Sequence, residues 1–171
     1  TVDAVSHTLS SALDYSTVYY WRVTAENLCG SGSPATPWHF QTRNAPLRLC
    51  SAPNLPIPDD DPAGILDSIT VTSTGELYDM DVAFTATHTW VGDLTATLVH
   101  TETGTSVTLI DRPGCPEDTF GCMGDDIKVI LNDEATLSIE EDCSDSGQAY
   151  TSGGAYRPNE PLSGFNGETL T

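Results

Sequence analysis

Acidic residues around one predicted strand are the side chains whose types and spacing best suit chemistry. Asp93 follows a glycine at a sharp corner. Asp125 and Asp126 precede the apolar run 127–131, and Asp133 and Glu134 follow it. Ca²⁺ takes about six to eight oxygen ligands from carboxylates and loop carbonyls. Because no EF-hand pattern is present, the sequence predicts a calcium site assembled from separate loops. The alternative is that each aspartate caps its own turn.

Other side chains also offer metal ligands. A second acidic cluster comprises Asp59, Asp60, Asp61 and Asp67. Three of these carboxylates are adjacent and repel one another unless a cation is bound. Mg²⁺ suits such clusters less than Ca²⁺, because it keeps its waters and demands octahedral geometry. His88 and His100 share the inward side of their predicted strands, where hydrogen-bonded histidines are expected more often than a metal pair.

Motifs for nucleophilic or metal-assisted catalysis are missing from the sequence. There is no GxSxG element, and residues 144–148 (SDSGQ) are typical of a turn. Residues 100–104 (HTETG) begin like a zinc motif but lack its second histidine. No subtilisin-type catalytic motif is present either. We therefore expect a non-catalytic chain.

The five cysteines indicate an oxidising compartment. They are Cys29, Cys50, Cys115, Cys122 and Cys143, without a CxxC pair or a Cys/His spacing suited to zinc. Cys122 with Cys143 closes a loop across an acidic segment and is the favoured disulfide, and Cys115 with Cys122 is the alternative. Cys29 and Cys50 pair with each other or with cysteines outside this sequence, and the odd count leaves one cysteine unpaired.

The charge of the chain excludes several partners. The 171 residues include 25 acidic and six basic ones, which gives a net charge of −19. Such a balance repels nucleic-acid backbones and anionic membranes. No apolar run approaches the roughly 20 residues of a membrane-spanning helix, and no signal peptide is recognisable. The sequence is expected to be part of a longer secreted or cell-surface protein.

Short runs rich in threonine, valine and aromatic residues alternate with glycine, proline and aspartate, which predicts an all-β fold. Predicted strands include residues 18–25, 38–42, 69–71, 78–90, 94–100, 107–109 and 127–131. On the long strand 78–90, Tyr78, His88 and Trp90 have inward parity. Threonines fill the opposite face of these strands, as on a solvated sheet face.

The first predicted unit, residues 1–44, resembles the last third of a fibronectin type III domain. Leu13 and Tyr19 have the spacing of that family's tyrosine-corner pair, and Asn27 and Gly30 follow the strand 18–25. A closing strand at 38–42 completes the match. The resemblance implies part of a β-sandwich. The segment 45–58 holds four prolines and is predicted to be a linker or edge segment.

The second predicted unit, residues 50–171, resembles the P domain, also called the Homo B domain. The match is carried by residues 57–64 (IPDDDPAG), 88–99 (HTWVGDLTATLV), 105–114 (TSVTLIDRPG) and 161–168 (PLSGFNGE). In that family the domain is a jelly-roll-like β-sandwich attached to secreted proprotein convertases and bacterial peptidases, often with calcium. The last strands of the family pattern are absent from the sequence.

The resemblance implies an accessory role. The expected function is a non-catalytic, stabilising module of a secreted bacterial protein, whose partner is an attached peptidase domain. The alternatives are a carbohydrate-binding adhesion module and a structural subunit that pairs strands with other copies. A carbohydrate platform would use Trp21, Trp38 and Trp90, but their alternating strand positions predict core residues.

Overall fold

The fold was obtained as a computed structural model, and it describes residues 7–115, 118–141 and 149–170. The chain is all-β, as the sequence predicts: strands make up 27% of it, in several small sheets, and no helix of seven or more residues occurs in the described ranges. In the described ranges no helix has the length and apolarity needed to span a bilayer. The chain divides into two compact units, Thr1–Cys50 and Ser51–Thr171, with the boundary inside the predicted proline-rich segment.

The first unit contains four short strands. They are β1 (Val18–Trp21), β2 (Glu26–Asn27), β3 (Gly30–Ser31) and β4 (Trp38–Gln41). β1 pairs antiparallel with β4, and β2 pairs with β3. The Tyr19 hydroxyl accepts a hydrogen bond from the Asp14 backbone N–H at 2.9 Å, which is the contact a tyrosine corner makes. None of residues 7–50 is buried, so this unit has no core of its own among the described residues.

The described part of the second unit contains seven strands. They are β5 (Gly75–Glu76), β6 (Val82–Ala86), β7 (Thr95–Val99), β8 (Ser106–Asp111), β9 (Ile127–Leu131), β10 (Ala155–Tyr156) and β11 (Thr169–Leu170). β9 is the centre of a three-stranded sheet, antiparallel to β6 and parallel to β10. β7 pairs with β8 across a register shift, and β11 pairs with β5. Short 3₁₀ helices span Val91–Asp93, Ala149–Thr151 and Leu162–Phe165.

One hydrophobic core joins the inward faces of these sheets. β9 alternates buried and exposed residues because successive side chains of a strand point to opposite faces, and β8 does so until the consecutive buried residues Leu109 and Ile110, where its register with β7 shifts. The core contains Val107, Leu109, Ile110, Ile127, Val129, Leu131, Ile139, Tyr156, Leu162 and Phe165. Val82, Phe84, Ala96 and Leu98 pack against it from β6 and β7. The threonines of the opposite faces are exposed, as predicted.

Two sequence predictions for strands of the second unit are wrong, and in the first unit the strand predicted at 18–25 forms only over β1. The long strand predicted at 78–90 forms only over β6, and Tyr78, which has inward parity, is 61% exposed. No strand forms at 69–71, where Ile69 is 50% exposed. Both segments have suitable side chains, but a strand also needs a neighbouring backbone to pair with, which alternation alone does not reveal.

Candidate functional site

The segment 88–94 forms a sharp corner at one end of β7. The Trp90 Nε1–H donates to the Phe120 carbonyl at 2.7 Å. The Gly92 N–H donates to the Cys122 carbonyl and the Val91 N–H to the Gly124 carbonyl, both at 3.0 Å. Trp90 is therefore half-buried across the corner, and its predicted place in the core is wrong.

Close backbone packing explains the glycine in this corner. A Cβ atom on Gly92 would lie 2.6 Å from the Phe120 carbonyl oxygen and 2.9 Å from the Cys122 nitrogen. Gly121 faces it with a positive φ of 66°, and a Cβ there would lie 2.9 Å from the Gly92 Cα. Only glycine permits this approach of two backbones without displacement. The corner is thus a rigid joint between the loop 120–124 and the start of β7.

The five predicted calcium ligands are not brought together as one set. Asp125 and Asp126 lie at the start of β9, whereas Asp133 and Glu134 follow its end. The five residues of β9, at about 3.3 Å each, separate these two groups by roughly 16 Å. Asp93 lies on the Val91–Asp93 helix, which is bonded to the loop beside Asp125. Among the described residues, no three His, Cys, Asp or Glu side chains form a group that could hold a metal ion.

Two of these aspartates have structural roles. Both carboxylate oxygens of Asp133 accept backbone hydrogen bonds, from Leu162 and Ser163, each at 2.8 Å. Asp133 therefore caps the N-terminus of the Leu162–Phe165 helix. Asp126 accepts from the His88 N–H at 3.1 Å and donates its own N–H to the His88 carbonyl at 2.8 Å. Neither contact is the local turn capping of the alternative, because the partners of Asp133 lie 29 and 30 positions away and that of Asp126 lies 38 positions away.

The second acidic cluster makes local turn contacts. Asp61 accepts a hydrogen bond from the Ala63 N–H at 3.0 Å, which is an Asx turn. Asp60 has a positive φ of 51°, a conformation that aspartate tolerates better than most residues. Both carboxylates belong to an exposed turn.

The two histidines lie in different networks. His88 Nδ1 is 2.8 Å from the Trp90 carbonyl oxygen and 3.1 Å from the Trp90 nitrogen, inside the corner. His100 Nδ1 is 2.5 Å from a Glu168 oxygen, at the turn between β7 and β8. Both rings are partly buried and hydrogen-bonded, the state expected from their strand positions.

Glu168 organises a polar cluster that sequence reasoning did not identify. Its carboxylate accepts hydrogen bonds from the hydroxyls of Thr103, at 2.9 Å, and Thr105. The Thr105 hydroxyl, followed by Thr103 and His100, lowers the pKa of this carboxyl below its ordinary value of 4.5. Glu168 directly precedes β11 and is 68 residues from His100, so no local pattern in the sequence connects them. The cluster fastens the β7–β8 turn to the segment before β11.

Glu140 is a second carboxylate that the sequence did not single out. One of its oxygens accepts from the Asp111 N–H at 2.9 Å, and the other is buried without a hydrogen-bond partner among the described residues. Burial, followed by the charge of Asp111, raises the pKa of Glu140 above its ordinary value. Its backbone carbonyl accepts from Gly114, so this residue also joins two loops.

An open cleft of about 450 Å³ lies beside the Asp133 cap. Arg157, Asn159 and Ser138 line it together with Asp133. The guanidinium and amide groups can bind a polar ligand through hydrogen bonds. No histidine lies among its described lining residues, so the cleft has no imidazole base to activate a serine.

The structure gives the thiol or disulfide state of four of the five cysteines. Cys122 is disulfide-bonded, and Cys115 is a free thiol, so the alternative pair Cys115–Cys122 is not formed. The favoured partner, Cys143, lies outside the described residues, as do residues 144–148. Cys29 and Cys50 are exposed free thiols and do not pair with each other.

Comparison with known proteins gives no relative: no protein-family model, no curated protein and no solved structure matches the chain.

Proposed function

We propose that the chain is a non-catalytic accessory module of a secreted bacterial protein and stabilises an attached peptidase domain. The proposal rests on the resemblance of residues 50–171 to the P domain and on the all-β fold. The fibronectin type III resemblance of residues 1–44 is part of the same proposal.

The observation that carries the proposal is the construction of the corner at Gly92. Donors of the P-domain-like stretch 88–99 are used within the protein: the Trp90 Nε1–H and the Gly92 N–H bond to backbone carbonyls, and the His88 N–H bonds to the Asp126 carboxylate. These bonds tie loops of the second unit to the start of β7. Because these polar groups are bonded within the protein, the corner has a structural role, which fits a supporting module.

The contacts of His100 with Glu168 and Thr103 also support a non-catalytic role. His100 contacts Glu168 through Nδ1, and the Thr103 hydroxyl also lies 3.1 Å from Nδ1. In a catalytic triad the acid and the nucleophile contact opposite nitrogens of the imidazole. This arrangement suits a structural clasp rather than a nucleophile–base pair.

Activity measurements on the purified chain test the non-catalytic part of the proposal. We expect no turnover of peptide, ester or glycoside substrates above the buffer rate. His100→Ala provides the matched variant, because it removes the imidazole closest to a carboxylate. Turnover by the wild-type chain that disappears in this variant would contradict the proposal.

A further inference from the structure

The cleft of about 450 Å³ beside Asp133 has a firmly held backbone. Arg157, which lines it, donates its N–H to the Leu137 carbonyl at 2.7 Å and accepts at its carbonyl from the Ile139 N–H at 2.9 Å. The volume of the cleft lies within the range of roughly 300–1,000 Å³ that is typical of small-molecule sites. The cleft is therefore preformed and large enough for a small ligand.

Two opposite charges line this cleft without pairing with each other. The Arg157 guanidinium makes no hydrogen bond or ion pair within the described ranges of the chain. The Asp133 carboxylate is held in place by two backbone N–H groups, and each of its oxygens retains a further lone pair. A guanidinium only donates hydrogen bonds and a carboxylate only accepts them. A ligand that contacts both groups must therefore carry acceptors as well as donors.

Neutral polar side chains and two prolines complete the lining of the cleft. The hydroxyls of Ser138 and Ser163 and the amide of Asn159 can each donate and accept hydrogen bonds. Pro158 and Pro161 add apolar ring surface of fixed geometry. A saccharide matches this set, because its hydroxyls both donate and accept hydrogen bonds and the C–H groups of its ring pack on apolar surface.

Other polar ligands match the cleft less well. A peptide binds as an added strand through backbone hydrogen bonds, but the N–H groups of Arg157, Asn159 and Ser163 are already used, and the two prolines have none. An anion is opposed by Asp133 and by the net charge of −19. A simple cation offers no acceptor to the guanidinium. The lining therefore favours a neutral ligand that is recognised by side chains.

We propose that this cleft binds a neutral mono- or disaccharide unit. The Arg157 guanidinium donates to the sugar hydroxyls, the Asp133 carboxylate accepts from them, and the serine hydroxyls and the Asn159 amide complete the contacts. The site goes beyond the proposed accessory role and does not depend on a peptidase partner. Because the cleft is open and holds few polar groups, its dissociation constant is on the order of 1 mM.

The tryptophans of the first unit are a different surface from this cleft. Trp21 and Trp38 are 51% and 65% exposed, so the core position predicted for them is not found within the described residues. Neither residue lines the cleft. Trp38→Ala therefore separates the two surfaces: it leaves saccharide binding unchanged if the sugar lies in the cleft. A loss of binding in Trp38→Ala would assign the sugar to the first unit and overturn the proposal.

Saturation-transfer difference NMR of the full chain tests the ligand class, with maltose, cellobiose, lactose and N,N′-diacetylchitobiose as probes. We expect at least one of these disaccharides to bind with a dissociation constant on the order of 1 mM. Glucuronate and glycylglycine are the anionic and zwitterionic comparisons, and they are expected to bind about tenfold more weakly or less. No binding of any disaccharide at up to ~20 mM, or a preference for either comparison ligand, overturns the proposal.

Matched variants of the second unit locate the bound sugar. Arg157→Ala removes the guanidinium and is expected to weaken binding about tenfold or more. Ser163→Ala keeps the backbone N–H that bonds to Asp133, removes only the hydroxyl, and is expected to weaken binding about two- to tenfold. Lys128→Ala removes an exposed positive charge that does not line the cleft, and it should leave the dissociation constant unchanged. Wild-type melting temperatures provide the folding control. Unchanged binding in both Arg157→Ala and Ser163→Ala, or an equal loss in Lys128→Ala and Arg157→Ala, overturns the proposal.

Discussion

Asp133 illustrates how one carboxylate acquires a role that its sequence context does not specify. Its position beside Glu134 and after an apolar strand suggests a metal ligand. In the fold, its two oxygens accept the Leu162 and Ser163 N–H groups at the start of a 3₁₀ helix. These residues are about 30 positions further along the chain, so the pairing depends on tertiary structure.

We expect Asp133→Ala to lower the free energy of unfolding of the second unit by about 1–2 kcal/mol, the usual cost of a lost helix cap. Glu134→Ala is the matched control, because Glu134 is exposed and adjacent. Chemical denaturation monitored by circular dichroism gives both values. An equal effect in the two variants would show that Asp133 is not a cap.

Glu168 forms hydrogen bonds whose contribution to stability depends on pH. Its pKa is lowered in the folded state, chiefly by the Thr105 hydroxyl, so its contribution to stability is complete above the unfolded value of 4.5. This contribution is lost as the pH falls through the lower, folded pKa. We expect Glu168→Gln to have a lower melting temperature than the wild type at about pH 7, with the difference shrinking towards about pH 3. Glu134→Gln should show no such change, and a difference for Glu168→Gln that is independent of pH contradicts the assignment.

At the scale of elements, the corner at Gly92 joins the start of β7 to the loop 120–124. Gly92→Ala would place a Cβ 2.6 Å from the backbone oxygen of Phe120 and should destabilise the second unit by about 3 kcal/mol. Gly164→Ala is the control, since its Cβ would meet only the movable Val107 Cγ2 at 3.2 Å. Its expected cost is less than about 1 kcal/mol. Thermal melts that rank the two variants in the opposite order would show that the corner tolerates movement.

Calcium binding remains a prediction of the sequence, and the position of the predicted ligands around β9 indicates which residues to test. Among the five predicted ligands, those at the start of β9 are the ones left for calcium, because Asp133 uses both oxygens as a cap. The sequence predicts a higher melting temperature in millimolar calcium than in EDTA. Asp125→Asn should abolish the increase and Glu134→Gln should preserve it. Equal melting temperatures of the wild type in calcium and EDTA would contradict the prediction.

The sequence predicted strands best where a partner strand runs beside them. β7, β8 and β9 lie where alternation placed them, because their apolar side chains face a shared core. The strand at 69–71 and the ends of 78–90 were wrong, because hydrogen-bond partners are not encoded in alternation. The contacts of the candidate site residues were harder to predict from the sequence than the strands. The His100–Glu168 contact and the Asp133 cap join segments far apart in sequence, so only the fold connects them.

At the scale of the whole molecule, the two units differ in charge and packing. The second unit carries the core and the net negative charge, whereas the first is neutral. The second therefore supplies the stable part of the proposed module. Its high acidity favours solubility.

The central claim, a module that stabilises an attached peptidase, is tested most directly in the parent protein. The measurement is the half-life of peptidase activity on heating, compared between the wild type and Gly92→Ala. We predict that loosening the corner shortens this half-life several-fold while the initial activity at low temperature is unchanged, with Gly164→Ala behaving as the wild type. An unchanged half-life in a Gly92→Ala protein whose second unit is measurably destabilised, or a parent protein without a peptidase domain, would contradict the account.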